Sequence, residues 1–159
     1  MGPTLFLGLL LFSAVRLPTF LVANVIVDLE LFLVLVFRLD YPLHGFFHSL
    51  LRGSIIAVIL SLVMIKIDEK IQRIIRFFKL EQRFSRRSIW LASFSGVYLH
   101  IMLDSRLYTD ITPFFPLDIN PLYSGSMFAG FEIYGFCVNS LILEIGLYTY
   151  KQLKRKKTF

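Results

Sequence analysis

Apolar residues in this chain gather into long runs separated by short polar breaks. The runs cover residues 1–27, 49–66, 88–104 and 126–150. A membrane-crossing helix needs about 20 predominantly apolar residues, with about 17–25 tolerated. The last run meets this directly. The second and third meet it with their polar flanks at the interface. In the first run Pro18 lacks an N–H and interrupts the pattern near Leu17, so it reads as a kinked span or a re-entrant pair. A secretory signal peptide is the competing reading of that run. Against it, no positive region precedes Leu5, and the apolar pattern continues past Ser13-Ala14-Val15.

Between the second and third runs the pattern changes. Over residues 67–87, Ile67, Ile71, Ile74, Ile75, Phe78 and Phe84 recur at helical spacing. Lys70, Arg73, Arg76, Lys79, Arg83, Arg86 and Arg87 fill much of the rest. This predicts a basic amphipathic helix lying on a membrane surface. Residues 105–125, rich in Asp, Pro and Tyr, read as an ordered, non-regular cap, and 151–159 as a basic tail. The expectation is one all-α membrane domain over 1–159, a helical bundle with about four transmembrane helices.

Composition strengthens this. At 56% hydrophobic and 18% charged residues, the chain lies outside the usual range of soluble domains, about 45–50% and about 25%. The net charge of +6 could suggest nucleic acid. However, 13 of the 17 Lys and Arg lie in Lys66–Arg87 or Lys151–Lys157, between and after apolar runs. That arrangement points to membrane lipids as partners, and nucleic acid is not expected. Positive segments beside spans stay cytoplasmic, so both basic regions face the cytoplasm of a multi-pass protein in the cell membrane. If the first run spans, four crossings follow and both termini are cytoplasmic. Segments 28–48 and 105–125 then lie outside.

All three histidines lie in or beside those outer segments. His44 and His48 form H-x-x-x-H; His100 and Asp104 form H-x-x-x-D; Asp28 and Glu30 close the first run. On a helix, residues four apart share a face, with Cβ atoms about 5–6 Å apart, and can hold one ion. If Gly45 breaks the helix, His44 sits in a turn and the weight moves to His48. Imidazole and carboxylate ligands suit zinc, with manganese or iron as alternatives. The lone Cys137 forms no internal disulfide and no thiolate cluster. Arg52, one turn from His48, and Arg106, just beyond Asp104, carry guanidinium forks that match phosphate oxygens. Glu132, Asn139 and Glu144 lie within the last run, and Asp110 and Asp118 in the cap. The chain carries no phosphate loop, no nucleotide fingerprint and no Gly-x-Ser-x-Gly elbow.

Three blocks, Leu17–Glu30, Asp40–Ser49 and His100–Asp104, resemble the membrane-bound metal-dependent hydrolases. That family includes the bacterial LexA-binding, inner-membrane-associated hydrolases, and this version resembles an archaeal branch. A more distant similarity is to zinc-dependent phospholipase C and the P1-type nucleases, all-helical enzymes that cleave phosphoesters with clustered metals. The resemblance implies that Asp28, Glu30, His44, His48, His100 and Asp104 serve as ligands or general base. Glu30 stands where a second Asp is common, and the histidine that members often carry before the first helix has no counterpart in Met1-Gly2-Pro3. One or two ions are therefore both open.

The reading that follows is a metal-dependent hydrolase acting on a phosphoester or lipid head group at the outer interface. Asp28, Glu30 and Asp104 are its catalytic candidates, and Arg52 and Arg106 hold the anion. The alternative is a proton- or metal-ion transporter built on the same cluster, which predicts polar groups spread through the membrane. A membrane scaffold docking through its basic helix leaves the histidine spacing unexplained.

Overall fold

The computed structural model describes residues 2–78, 80–126 and 128–156, the side chains of 155 and 156 excepted. Lys79 and the tail end Lys157–Phe159, both counted in the basic segments, lie outside the described residues. The described chain is all-helical: α1 (Gly2–Leu10), α2 (Leu17–Val25), α3 (Asp28–Phe37), α4 (Leu50–Phe77), α5 (Arg86–Asp104) and α6 (Ala129–Lys156).

The first run does not form one kinked span. Pro18 sits in the first turn of α2, where its missing N–H has no helical partner to lose. It therefore starts a helix instead of bending one. Residues 11–16 reverse the chain and make α1 and α2 an antiparallel hairpin. Gly8 near the end of α1 lies against Leu17 and Phe20 at the start of α2. Pro3 and Thr4 at the start of α1 share a cavity with Asn24 and Val25 at the end of α2. The start of α1 thus lies at the opposite end of the bundle from the basic segments, and the placement of both termini together, which required the first run to span, does not apply. The segment following Val27, expected on the outer side, begins with the apolar helix α3. Arg38, with φ 50° and ψ 46°, ends it in the left-handed region.

The core is built around α5. Its buried residues Ile89, Ala92, Ser93, Gly96, Val97, His100 and Ile101 recur at helical spacing, and α5 packs between α2 and α4. Small residues set the approach. A Cβ on Gly96 would lie 2.6 Å from Ala23 Cβ and 2.9 Å from the Phe20 carbonyl oxygen, and one on Gly53 of α4 would lie 2.8 Å from Ile101. Asn24 Nδ2 donates to the Gly96 carbonyl at 3.4 Å. The long helix α6 packs mainly on α1 and exposes Phe131, Tyr134, Val138, Ile142 and Ile145.

Polar groups collect at the two ends of this bundle. At one end Arg16, 1% exposed, donates through Nε and Nη2 to the Asp68 carboxylate and through Nη1 to the carbonyls of Gln82 (2.7 Å) and Arg83 (3.1 Å). Gln82 Nε2 donates to the carbonyls of Phe12 (2.6 Å) and Val15 (2.7 Å), and its Oε1 accepts from Leu17 N (2.9 Å). The Phe12 and Val15 carbonyls and the Leu17 amide, freed by the reversal, are met in this way, as burial requires. The histidines lie at the other end. From Ser49, which caps α4, to Asp68 is about 30 Å at 1.5 Å per residue, close to the hydrocarbon thickness of a bilayer.

Among the described residues two helices, α4 and α6, are long and apolar enough to cross a membrane, and the pair α2–α3, bent by 40°, would make a third. The third expected span, α5, is not in that set. Its Ser93, Gly96 and His100 are buried against its neighbours. The separate amphipathic helix expected at 67–87 is also absent. Residues through Phe77 continue α4 without a break, and 80–85 are non-helical. The hydrophobic face there runs on into the core: Met64 is buried, and Ile67 and Ile71 pack against the central cluster.

Two stability predictions follow from this packing. Gly96→Ala should cost about 1–3 kcal/mol because backbone and Ala23 leave no room. Gly146→Ala on α6, whose Cβ would meet nothing within 4 Å, should gain about 0.5–1 kcal/mol. Thermal unfolding of both variants in one detergent checks the contrast. Asp68→Ala strands the buried Arg16 and should cost about 3–5 kcal/mol, whereas Arg16→Met with Asp68→Leu should recover most of that. A double-mutant cycle on the same unfolding assay measures it.

Candidate metal centre

Three chain segments converge at the histidine end. The close packing of α2 on α5 brings Asp28, the first residue of α3, beside His100 in the last turns of α5. Asp104 follows His100 one turn on. His48 arrives from the turn that leads into α4. Ligand atoms of Asp28, His48, His100 and Asp104 all lie within 4.8 Å of one another. His100 Nε2 stands 3.0 Å from Asp104 Oδ2 and 3.3 Å from Asp28 Oδ1. The His48 and His100 rings are 5.9 Å apart between centroids. Four ligands around one zinc at about 2.0–2.2 Å lie roughly 3.3–3.6 Å from each other. The His100–Asp28 contact matches that spacing and the His100–Asp104 contact is slightly shorter.

The nitrogens test the fit independently. His48 Nε2 and His100 Nε2 are both buried, and neither makes a hydrogen bond of good geometry among the described residues. Buried polar atoms are almost always paired. Two buried imidazole nitrogens beside two carboxylates are a donor set that fits a divalent cation. His48 is set up as a ligand. Its Nδ1 faces Glu30 Oε2 at 3.4 Å, which leaves Nε2 for the centre. Burial pushes its imidazole below the ordinary histidine value, and the neighbouring His44 and His100 rings push the same way. It is therefore neutral at pH 7, the form that binds a metal.

The other expected residues take different places. Glu30, buried, accepts from the backbone amides of Phe46 and Phe47 (2.8 Å for the latter) as well as facing His48. It fixes the 44–49 turn and the His48 ring, a supporting role that metal sites commonly need, and it stands outside the four-residue group. His44 and His48 share no helix. Gly45 lies between them in a turn, where an added Cβ would strike the Tyr41 ring at 2.2 Å. His44 instead pairs with Asp110, at 2.9 Å, lies 4.2 Å from the Tyr108 ring, and meets His48 edge-on at 4.8 Å. Arg52 sits against Phe115, 3.5 Å from its centroid, with Phe46 at 5.2 Å. Arg106 reaches Glu132 at 3.4 Å.

A polar cavity of about 260 Å³ opens beside the centre. Asp28, His100 and Asp104 line it together with Thr4, Asn24 and Tyr108. Burial raises the Tyr108 phenol above its ordinary value, and Tyr134, Asp104 and Asp110 add to this, so its hydroxyl remains a donor through neutral pH. Tyr108 and Asn24 stand out in the sequence only as a loop aromatic and a polar residue inside an apolar run. The cap 105–125 is ordered as expected. Asn120 Nδ2 donates to the carbonyls of Ser105 (2.8 Å) and Tyr108 (3.0 Å), and Leu50 N donates to the Pro113 carbonyl at 2.9 Å. Comparison with known proteins finds no matching family model, curated protein or solved structure.

Metal analysis of the purified chain separates these roles. Asp28→Asn, His48→Ala, His100→Ala and Asp104→Asn should each remove bound metal. Glu30→Gln should retain it with about 10–100-fold weaker affinity. His44→Ala should retain metal at close to the full level. Titration with zinc under a competing chelator reads all six.

Proposed function

We propose that the protein is a membrane-embedded metal-dependent hydrolase that cleaves a phosphoester in a lipid head group at the outer face of the cell membrane. The observation that carries this reading is the gathering of the His48 and His100 imidazoles, each with a buried Nε2 that makes no hydrogen bond of good geometry, with the Asp28 and Asp104 carboxylates within 4.8 Å of one another. Asp28, His48, His100 and Asp104 would hold a divalent ion, zinc first and manganese or iron otherwise, which would supply polarisation of a phosphoryl oxygen.

The chain's own groups divide the remaining work. Asp28 is half exposed and Asp104 less so, which makes Asp28 the better placed carboxylate to take a proton from attacking water. Glu30 holds His48 in the tautomer that presents Nε2. Tyr108 offers a protonated hydroxyl to an anionic substrate within the cavity. Of the two expected arginines, Arg106 is engaged by Glu132. Arg52 makes no guanidinium hydrogen bond among the described residues and is kept as the phosphate-binding candidate.

The basic residues of 66–87 and of the α6 end lie at the opposite end of α4 and α5 from this centre. Positive segments stay cytoplasmic, so the centre faces outward. In this arrangement α4, α5 and α6 cross the bilayer, and the α1–α2 hairpin dips in from the outer side. The resemblance of the Leu17–Glu30, Asp40–Ser49 and His100–Asp104 blocks to membrane-bound metal-dependent hydrolases leads to the same chemistry.

The test uses the full chain in lipid nanodiscs with phosphatidic acid and 4-nitrophenyl phosphate as substrates. Hydrolysis should require a divalent ion and fall on the order of a thousandfold in His48→Ala plus His100→Ala, as the loss of several kcal/mol of charge stabilisation implies. Near-zero metal in both wild type and double variant rejects the reading. Bound metal without hydrolysis, together with ion flux across liposomes that depends on Glu144, decides for transport.

A further inference from the structure

Bending between α2 and α3 creates a second concavity next to the polar one. It has a volume of about 690 Å³, and its walls are hydrocarbon: Leu21, Val22, Val25, Leu29 and Phe32 line it, and Asp28 is its polar edge. Val25 and Asp28 line both spaces. The groove is open on the outside of the bundle, where Val25 (41%), Leu29 (44%) and Phe32 (59%) are exposed.

We propose that this groove holds the hydrocarbon chain of a membrane lipid whose phosphate head group lies at the metal centre, a proposal that rests on the hydrolase reading. The shared wall decides the occupant. A molecule in contact with both faces of Asp28 must be polar and anion-bearing on one side, where His100, Asn24 and Tyr108 stand. It must be hydrocarbon on the other, where Leu29 and Phe32 offer no hydrogen bond. A soluble sugar phosphate fills only the first space. A straight α2–α3 helix would leave no concavity, so the break at 26–27 serves both spaces: it opens the groove and turns Asp28 toward His100.

The groove contributes orientation more than affinity. A lipid tail leaves one hydrocarbon surrounding for another, so its transfer from the bilayer gains little. Fixing the tail along α2–α3 restricts the head group to one approach, and restricting approach is itself a source of rate. The substrate class is thus a chain-bearing phosphoester drawn sideways from the outer leaflet.

The experiment uses the full chain in nanodiscs containing a phosphatidic acid with a mid-chain diazirine, irradiated and mapped by peptide mass spectrometry, with bound metal measured on the same samples. Adducts should concentrate several-fold on Val25, Leu29 and Phe32 over the more exposed Phe131 and Ile142 of α6. Added glycerol phosphate should not displace them. Leu29→Trp and, separately, Val22→Trp should fill the groove and remove those adducts while metal content stays unchanged. Adducts spread evenly over α4 and α6, or unaltered in both tryptophan variants, would overturn the proposal. Groove-specific adducts in a wild-type protein that binds no metal would reject the hydrolase reading and leave the lipid seat standing.

Discussion

Everything at the histidine end depends on how closely α5 can approach α2 and α4. Two imidazoles and two carboxylates come from three separate segments, and none of these could gather the group alone. Gly96 lets the backbone of α5 lie against Ala23 and the Phe20 carbonyl, and Gly53 lets α4 close on Val97 and Ile101. A methyl group at Gly96 would meet the Ala23 Cβ and the Phe20 carbonyl oxygen, so the α2–α5 contact could not stay as close. The chemistry of the site is therefore set by residues that have no chemistry of their own. Small residues serve this purpose in membranes because packing, not water exclusion, holds helices together there.

Much of this was legible in the sequence, and the failures have physical causes. Runs 49–66, 88–104 and 126–150 became α4, α5 and α6 because apolar length and a serine cap are local signals. His48, His100, Asp28 and Asp104 could be named together because ionisable groups at apolar depth are costly enough to need a reason. The pairing within the motifs was less legible. H-x-x-x-H suggested two ligands on one helix, but Gly45 and the tight contact with Tyr41 put His44 and His48 in a turn, and His44 faces Asp110. Glu30 looked like a ligand because it is acidic and two residues from Asp28. On a helix that spacing points the two side chains in different directions, and Glu30 meets the amides of Phe46 and Phe47 instead.

The amphipathic reading of 67–87 failed for a similar reason. Ile67 and Ile71 at helical spacing face a protein core and a lipid surface equally well in a hydrophobic pattern. The missing information was Asp68, a carboxylate on the apolar side of that pattern. Its partner, Arg16, lies 52 residues earlier, a separation that no local pattern reveals. Pro18 left a kinked span and a re-entrant pair both open. Its position relative to the helix start decides whether it breaks or begins a helix, and that start is set by the reversal at 11–16.

The Arg16 network also bears on how the chain is made. Its acceptors, Asp68 and the carbonyls of Gln82 and Arg83, lie 52, 66 and 67 residues downstream. A ribosome delivers α1 and α2 long before any of them. Until then the guanidinium has no counter-charge and must stay hydrated, because an unpaired arginine is expensive in hydrocarbon. The short hairpin must therefore wait at the water boundary and settle into the bundle only after α4 and the first turn of α5 have emerged. The last-made part of the central packing admits the first-made helices, and the seat for Asp28 is completed in that final step.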